Sequence, residues 1–261
     1  MSKEIIAEIT NKNYQKISEN IQSFLAKQLQ DTSSEGLIFG LSGGIDSAVV
    51  AYLCQREMKS KVTALIMPDT KISPKSETED ALKMIDKLGM DYKLIDISLI
   101  VNEYSKYLEP NEKAKGNLRA RIRANLLYYY ANSKNYLVVG TSDKSEYLLG
   151  YFTKFGDGSA DIQPIISLYK LQVRKLAEFL GVPDSIIAKK SGPHLLKDHF
   201  AEDEIGVAYE EIDPILYCLI DKKLTIQETS TKTGIPIQTV EKIHSLYKIS
   251  EHKRITAPKP T

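Results

Sequence analysis

The chain has 261 residues, 42% of them hydrophobic and 26% charged, with a formal net charge of +1. That composition excludes a disordered chain, and near-neutrality excludes a broad positive field for a nucleic-acid backbone or an anionic membrane, so any polyanion must be held locally. No stretch approaches the ~20 apolar residues of a bilayer span, and the polar, acidic start from Met1 to Lys27 lacks a signal-peptide layout, so a cytoplasmic protein is expected.

A chain of this length can bury roughly three quarters of its unfolded surface, and one domain over residues 1–261 is expected. Cys54 and Cys218 stand far apart in apolar runs, AYLCQRE and ILYCLID. They build neither a disulfide framework nor a CxxC site and read as core residues.

Short β-rich runs alternate with longer helical ones. Gly36 to Gly40 reads as a buried strand, and Ile45 to Met58 has helical apolar spacing. Val62 to Met67 is a second strand, stopped by Pro68. Ser76 with Glu79 has the form of a capping box for a helix over Ala81 to Leu88, which Gly89 ends. Tyr92 to Ile97 is a third strand. A basic, aromatic helix from about Lys115 to Asn132 leads to a fourth, Tyr136 to Gly140. Strands alternating with helices of this length imply right-handed βαβ units, hence a doubly wound parallel α/β sheet with flanking helices. Ligands of such sheets bind beyond the carboxyl ends of the strands, where crossovers diverge.

Leu168 to Leu180 is a further helix, closed by Gly181, and Thr225 to Tyr247 holds two helical patterns around Gly234-Ile235-Pro236. The pair has the outline of a helix-turn-helix. Its second helix offers only Lys242 and Lys248, beside Glu241, so a packed hairpin is expected and no nucleic-acid partner.

The segment Gly40-Leu41-Ser42-Gly43-Gly44-Ile45-Asp46-Ser47 lies between a strand and the first turn of a helix. Gly43 and Gly44 permit positive φ and remove side chains, so backbone N–H groups can converge on an anion at a helix N-terminus, with Ser42 and Ser47 as hydroxyl donors. It is not a Walker A loop, because Ile45 stands where that loop needs lysine, and it is not GxGxxG. A carboxylate beside a phosphate cradle repels the ligand unless a divalent cation intervenes. Asp46 therefore reads either as a Mg²⁺ ligand or as a helix-start acid favoured by the dipole.

SGGxDS after a strand resembles the loop of the pyrophosphatase-loop ATP enzymes, which split ATP between the α and β phosphates to make adenylates. A second cluster, Gly140-Thr141-Ser142-Asp143-Lys144-Ser145-Glu146 and Gly150 to Asp161, resembles the GTSxxSE and GYFTKxGDGxxD segments of ammonia-dependent NAD synthetases. Lys115-Gly116-Asn117 with Arg119, Arg121 and Arg123, Leu168-Tyr169-Lys170, Glu204-Ile205-Gly206 with Tyr209, and Ser250 to Arg254 extend the likeness from about Leu37 to Arg254.

The resemblance implies an adenine nucleotide alpha hydrolase-like fold with a helical C-terminal extension. It implies a ligase that amidates deamido-NAD⁺ to NAD⁺ with ATP and ammonia through an NAD-adenylate, releasing AMP and pyrophosphate. It assigns Gly40 to Ser47, Thr141, Lys170 and Gly192 to ATP, and Asp46 and Glu146 to Mg²⁺. Arg121, Lys154, Asp161, His252 and Lys253 go to deamido-NAD⁺, with Phe152 as an apolar wall. Asp157 and Lys170 are its catalytic pair, Asp157 holding ammonium and accepting its proton. On the residues alone, Glu146 also reads as a solvated helix-start acid, and Gly156-Asp157-Gly158 as a tight turn. Of the three arginines, at least one is expected as surface charge. Tyr128-Tyr129-Tyr130 are expected in helix packing.

The likeness fails at Ser191-Gly192-Pro193-His194-Leu195-Leu196-Lys197-Asp198-His199, where the family's usual hydroxyl falls on Gly192 and its glutamine on His199. Either Ser191 serves by a one-position slip or ATP loses one contact worth about 1 kcal/mol. His194 and His199 are too isolated for a metal pair. The chain has no room for a glutaminase domain, so free ammonia is expected as nitrogen source. The family's homodimeric habit implies a second copy at the deamido-NAD⁺ site. A sulfur-transferring relative would need a reactive cysteine, which Cys54 and Cys218 do not supply. A regulator that had lost turnover would not need Asp46, Glu146, Lys154, Asp157 and Lys170.

Overall fold

The computed structural model describes residues 2–57, 61–190, 192 and 200–259. Met58, and the atypical 191–199 run apart from Gly192, including His194 and His199, lie outside the described residues. In chain order the elements begin with α1 (Ser2–Thr10), α2 (Tyr14–Thr32), β1 (Gly36–Gly40), α3 (Ile45–Glu57), β2 (Val62–Ile66), α4 (Lys75–Leu88) and β3 (Asp91–Leu94). There follow α5 (Ser98–Ser105), α6 (Glu112–Lys134), β4 (Tyr136–Val138), α7 (Lys144–Leu149), α8 (Lys170–Leu180) and α9 (Asp184–Ile187). The last are α10 (Ala201–Ile205), α11 (Tyr209–Leu216), α12 (Ile226–Thr233) and α13 (Ile237–Ile249).

The four strands pair in parallel in the order β3-β2-β1-β4. Alternate side chains of each strand serve opposite faces; β1 and β2, covered on both, are almost wholly apolar, whereas β3 lies exposed at the edge of the sheet. Leu37 and Phe39 of β1 pack with Val49 of α3, Leu25 of α2, Met84 of α4 and Leu176 of α8. Ile38, Leu65 and Val138 turn the other way, onto Val101 of α5 and Ile122 of α6. A third cluster joins Ile9 of α1 to Leu149 of α7, Ile212 and Leu216 of α11, and Val240 and Ile243 of α13. This is the helical C-terminal layer. In it Val240, Ile243, Thr229 and Thr233 are buried, so α12 and α13 form a packed hairpin as expected.

Several boundaries depart from the expectations. Ser76 and Glu79 do not make a capping box: α4 starts earlier, behind Pro74, whose fixed φ of −58° sets the first turn without a side-chain cap. Helix α6 also starts early, because the Asn111 side chain accepts the N–H of Ala114 at 2.9 Å. Strand β4 ends at Val138, after which Val139 bridges Ile162. Helices α1 and α2 have no counterpart among the expected elements, although Ile17, Ile21, Leu25 and Leu29 repeat at helical spacing. Cys54 and Cys218 are free and buried.

Candidate active site

The crossover from β1 to β2 leads one way across the sheet, and the chain returns past β1 to form β4 on its other side. Between β1 and β4 the loops therefore diverge, and a crevice opens at their carboxyl ends. A cavity of about 250 Å³ lies there, lined by Gly40, Ser42, Asp46, Thr141, Glu146 and Asp157, with Gly192 at its edge. Leu41, Gly44, Ile45 and Ser47 also face it.

The glycine loop is held in shape by its own side chains. Ser47 Oγ donates to the carbonyl of Gly44 at 3.0 Å, accepts the N–H of Ser42 at 3.2 Å and lies 3.0 Å from Ser42 Oγ. Gly44 N–H donates to Ser42 Oγ at 3.2 Å. The two serines thus brace the turn. Positive φ occurs at Gly43 alone, at 87°, and a Cβ there would sit 2.3 Å from the carbonyl oxygen of Glu77. Behind the turn α3 presents its first-turn amides, which have no carbonyl one turn back to bond and carry the positive end of the helix dipole.

Asp46 opens α3, and Asp143 and Glu146 open α7, so two strand-to-helix turns deliver three carboxylates to one place. One oxygen of each lies within 4.8 Å of the others. Asp143 is fully buried and caps α7, its Oδ1 accepting the N–H of Glu146 at 2.8 Å. Lys170, also fully buried, places Nζ 2.8 Å from both oxygens of Asp46, 3.0 Å from Glu146 Oε1 and 3.0 Å from Asp143 Oδ2. The contact with Asp143 Oδ2 is an ion pair between two fully buried groups.

Burial raises the pKa of Glu146 well above the carboxylate range, against the pull of Lys170, and raises that of Asp143 in the same way. Burial would lower Lys170, but the three carboxylates more than offset it and its pKa is raised. Three carboxyl groups around one ammonium gather a set of oxygen donors at one place. That donor set of oxygens fits a hard divalent cation such as Mg²⁺. Lys170 does not line the cavity; it stands behind the carboxylates.

Asp157 borders the cavity, its Oδ1 accepting the N–H of Thr153 at 2.9 Å. The surrounding protein desolvates the carboxylate and raises its pKa, with the Thr153 hydrogen bond and the Lys253 ammonium opposing. Of the arginines, Arg119 is buried in an ion pair with Asp69 at 2.7 Å, and Arg123 lines the cavity while its Nε donates to the Met67 carbonyl at 2.9 Å. Arg121 is exposed and donates to the Lys154 carbonyl at 3.3 Å.

Lys154 Nζ reaches the carbonyl of His252 at 2.9 Å, and Lys253 Nζ reaches the carbonyls of Gly150 and Phe152 at 2.7 and 2.8 Å. Arg121, Lys154, His252 and Lys253 thus form one basic strip within a single chain. Lys253 and Phe152 line a second cavity, of about 270 Å³, that shares Ser142 with the first. Asp161 lines neither: it accepts the N–H of Val138 at 2.7 Å and the O–H of Tyr128 at 3.2 Å. Tyr129 is 66% exposed and does not join the helix packing expected of all three tyrosines.

Asp143 had no role assigned from the sequence. An aspartate just after a strand and three residues before the helical Glu146 was its available signal, that of an N-cap.

The NAD synthase family model matches residues 17–257. The chain belongs to the NAD synthase family. An NH(3)-dependent NAD(+) synthetase of Hyperthermus butylicus is 45% identical over 256 residues, 97% of this chain and 93% of that protein. One of Pyrococcus horikoshii is 42% identical over 93% of each chain. Among solved structures, an NMN synthetase of Francisella tularensis aligns with TM-score 0.84 and 34% identity over 95% of this chain and 99% of that one. An NH3-dependent NAD synthetase of Campylobacter jejuni aligns with TM-score 0.82 and 34% identity, over 96% and 100%. This NAD synthase family chain shares their parallel sheet flanked by helices.

Proposed function

We propose that this chain converts deamido-NAD⁺ to NAD⁺ with ATP and ammonia. An oxygen of the nicotinate carboxylate attacks the α-phosphorus of ATP, the bond to the β-phosphate breaks, and pyrophosphate leaves. Ammonia then adds to the acyl carbon of the NAD-adenylate, and AMP departs with the former carboxylate oxygen. The observation that carries this reading is the meeting of Asp46 and Glu146 at the rim of the glycine loop, between β1 and β4.

In this reading the amides of Gly40 to Ser47 and the start of α3 hold the pyrophosphate portion, where charge grows as the bond breaks. Thr141 and Gly192 border the rest of ATP. Asp46 and Glu146, the two carboxylates of the cluster that line the cavity, would hold Mg²⁺, which when bound would neutralise phosphate charge. Lys170 keeps those carboxylates together and is not itself aimed at ATP. Asp157 binds ammonium and accepts its proton, leaving a nucleophilic lone pair. Arg121, Lys154, His252 and Lys253 meet the dinucleotide phosphates, with Phe152 beside them and Asp161 orienting Tyr128 at the margin.

The NH3-dependent names of the relatives support free ammonia as nitrogen source, and residues 1–261 acting as a single synthetase domain without a glutaminase. A homodimer is supported by a largely exposed β3 and exposed Tyr92, Leu94, Leu99, Tyr104 and Tyr129 on β3, α5 and α6. Action in the cytoplasm is supported by two free thiols. No described helix is long and apolar enough to cross a membrane.

The test supplies ATP, Mg²⁺, ammonium and deamido-NAD⁺. NAD⁺, AMP and pyrophosphate should appear in equal amounts; ADP with phosphate, or no NAD⁺, sinks the proposal. The same assay with nicotinic acid mononucleotide in place of the dinucleotide decides whether the activity named for the Francisella relative is shared. The basic strip beside the second cavity predicts a preference for the dinucleotide.

A further inference from the structure

Helix α11 takes no part in the reaction as described, yet two of its residues converge on Lys170. Asp213 is fully buried; its Oδ1 accepts the hydroxyl of Ser145 at 2.5 Å and its Oδ2 accepts the N–H of Leu171 at 2.8 Å. Ser145 Oγ in turn accepts the N–H of Lys170 at 3.0 Å. Ser145 immediately precedes Glu146 at the start of α7, and Lys170 and Leu171 are the first residues of α8. The carboxylate therefore satisfies the Leu171 amide directly and, through the Ser145 hydroxyl that accepts from Lys170, ties the start of α8 to the turn that carries Glu146. One helical turn before Asp213, Tyr209 lies buried with its ring 5.2 Å from Lys170 Nζ.

We propose that Asp213 is a positioning residue of the ATP site. It locks the start of α7 to the start of α8, so that the Lys170 ammonium stays centred among Asp46, Asp143 and Glu146. It touches neither the cavity nor any ligand. Its effect passes through the carboxylates, whose mutual spacing depends on where the two helix starts sit. Outer partners of this kind set the geometry of an ion site, and their loss typically costs about 10–100-fold in affinity or activity. The inference rests on reading the cavity as the ATP site.

The test uses full-length Asp213→Asn and Ser145→Ala proteins. An amide at 213 can accept from only one of the two donors, whereas Ser145→Ala removes the bridging hydroxyl and leaves the bond to Leu171. Calorimetry with ATP and Mg²⁺, and separately with deamido-NAD⁺, is read beside the thermal midpoint and the KM for each substrate. Both variants should bind ATP–Mg²⁺ about tenfold more weakly or worse, with KM for ATP rising in step, while deamido-NAD⁺ affinity stays within about twofold. Equal weakening for both ligands would mark a general structural role and overturn the proposal. Unchanged ATP affinity beside a parent that binds ATP would overturn it too. Should Asp213→Asn fail to fold, Ser145→Ala decides alone. A parent protein that binds no ATP would instead overturn the site reading itself, and this inference with it.

Discussion

Asp46 and Asp157 border the same cavity but have different surroundings, and their substitutions should separate two half-reactions. Asp46 shares Lys170 with Asp143 and Glu146, so Asp46→Ala should abolish pyrophosphate release from ATP in a rapid-quench assay. Asp157→Asn should keep ATP affinity within about threefold, a loss of less than ~1 kcal/mol, while raising the ammonium requirement. Equal loss of nucleotide affinity in both would contradict this division. The pH dependence has a definite sign. Burial raises the Asp157 pKa, and the reaction needs its carboxylate form, so the base is lost at a higher pH than for an exposed aspartate. With total ammonium as substrate, kcat/KM should climb from acid pH and level off above that raised value. In Asp157→Asn it should climb about tenfold per pH unit until the ammonium pKa is reached, because only free ammonia would then react. A wild-type profile lacking the plateau would remove the proposed role of Asp157.

The turn after β1 depends on one glycine more than on the other. Gly43 combines φ of 87° with a Cβ position 2.3 Å from a backbone oxygen of α4, whereas a Cβ on Gly44 would meet nothing nearer than Ser42 Oγ at 3.3 Å. Gly43→Ala should cost about 1–3 kcal/mol in backbone strain alone and lose most ATP affinity. Gly44→Ala should retain measurable ATP binding in the same titration, and the reverse order would show the loop to be held differently. The loop, strands and central helices were legible from the sequence because glycine placement and apolar runs are local signals. Boundaries were less so. Pro74 and Asn111 start α4 and α6 earlier than the apolar pattern indicates, since caps act outside the periodic stretch. Asp46 and Glu146 could be paired in advance because each follows a neighbouring parallel strand. That Lys170 would stand behind them, and that Asp143 would join them, depends on how α7 and α8 begin, which no local pattern records.

Across the molecule, the sheet supplies the crevice and the C-terminal helical layer supplies its support. Lys170 lies where the two meet, with sheet-borne Asp46 on one side and α11 on the other. The cluster of carboxyl oxygens there predicts that Mg²⁺ stabilises the folded protein. Saturation to 100 times Kd corresponds to about 2.7 kcal/mol, so a melt in Mg²⁺ should exceed one in chelator, and Asp46→Ala should lose most of that difference. Equal midpoints for the wild type in both conditions would leave the carboxylate cluster without its proposed ion.

In the proposed reaction this crevice joins a carboxylate to the α-phosphate of ATP. Mass spectrometry of AMP formed from deamido-NAD⁺ labelled with ¹⁸O in its nicotinate carboxylate tests it most directly. One labelled oxygen should pass to AMP when the adenylate is broken by ammonia. AMP free of label, with NAD⁺ formed, would contradict α-phosphate attack and the account built upon it.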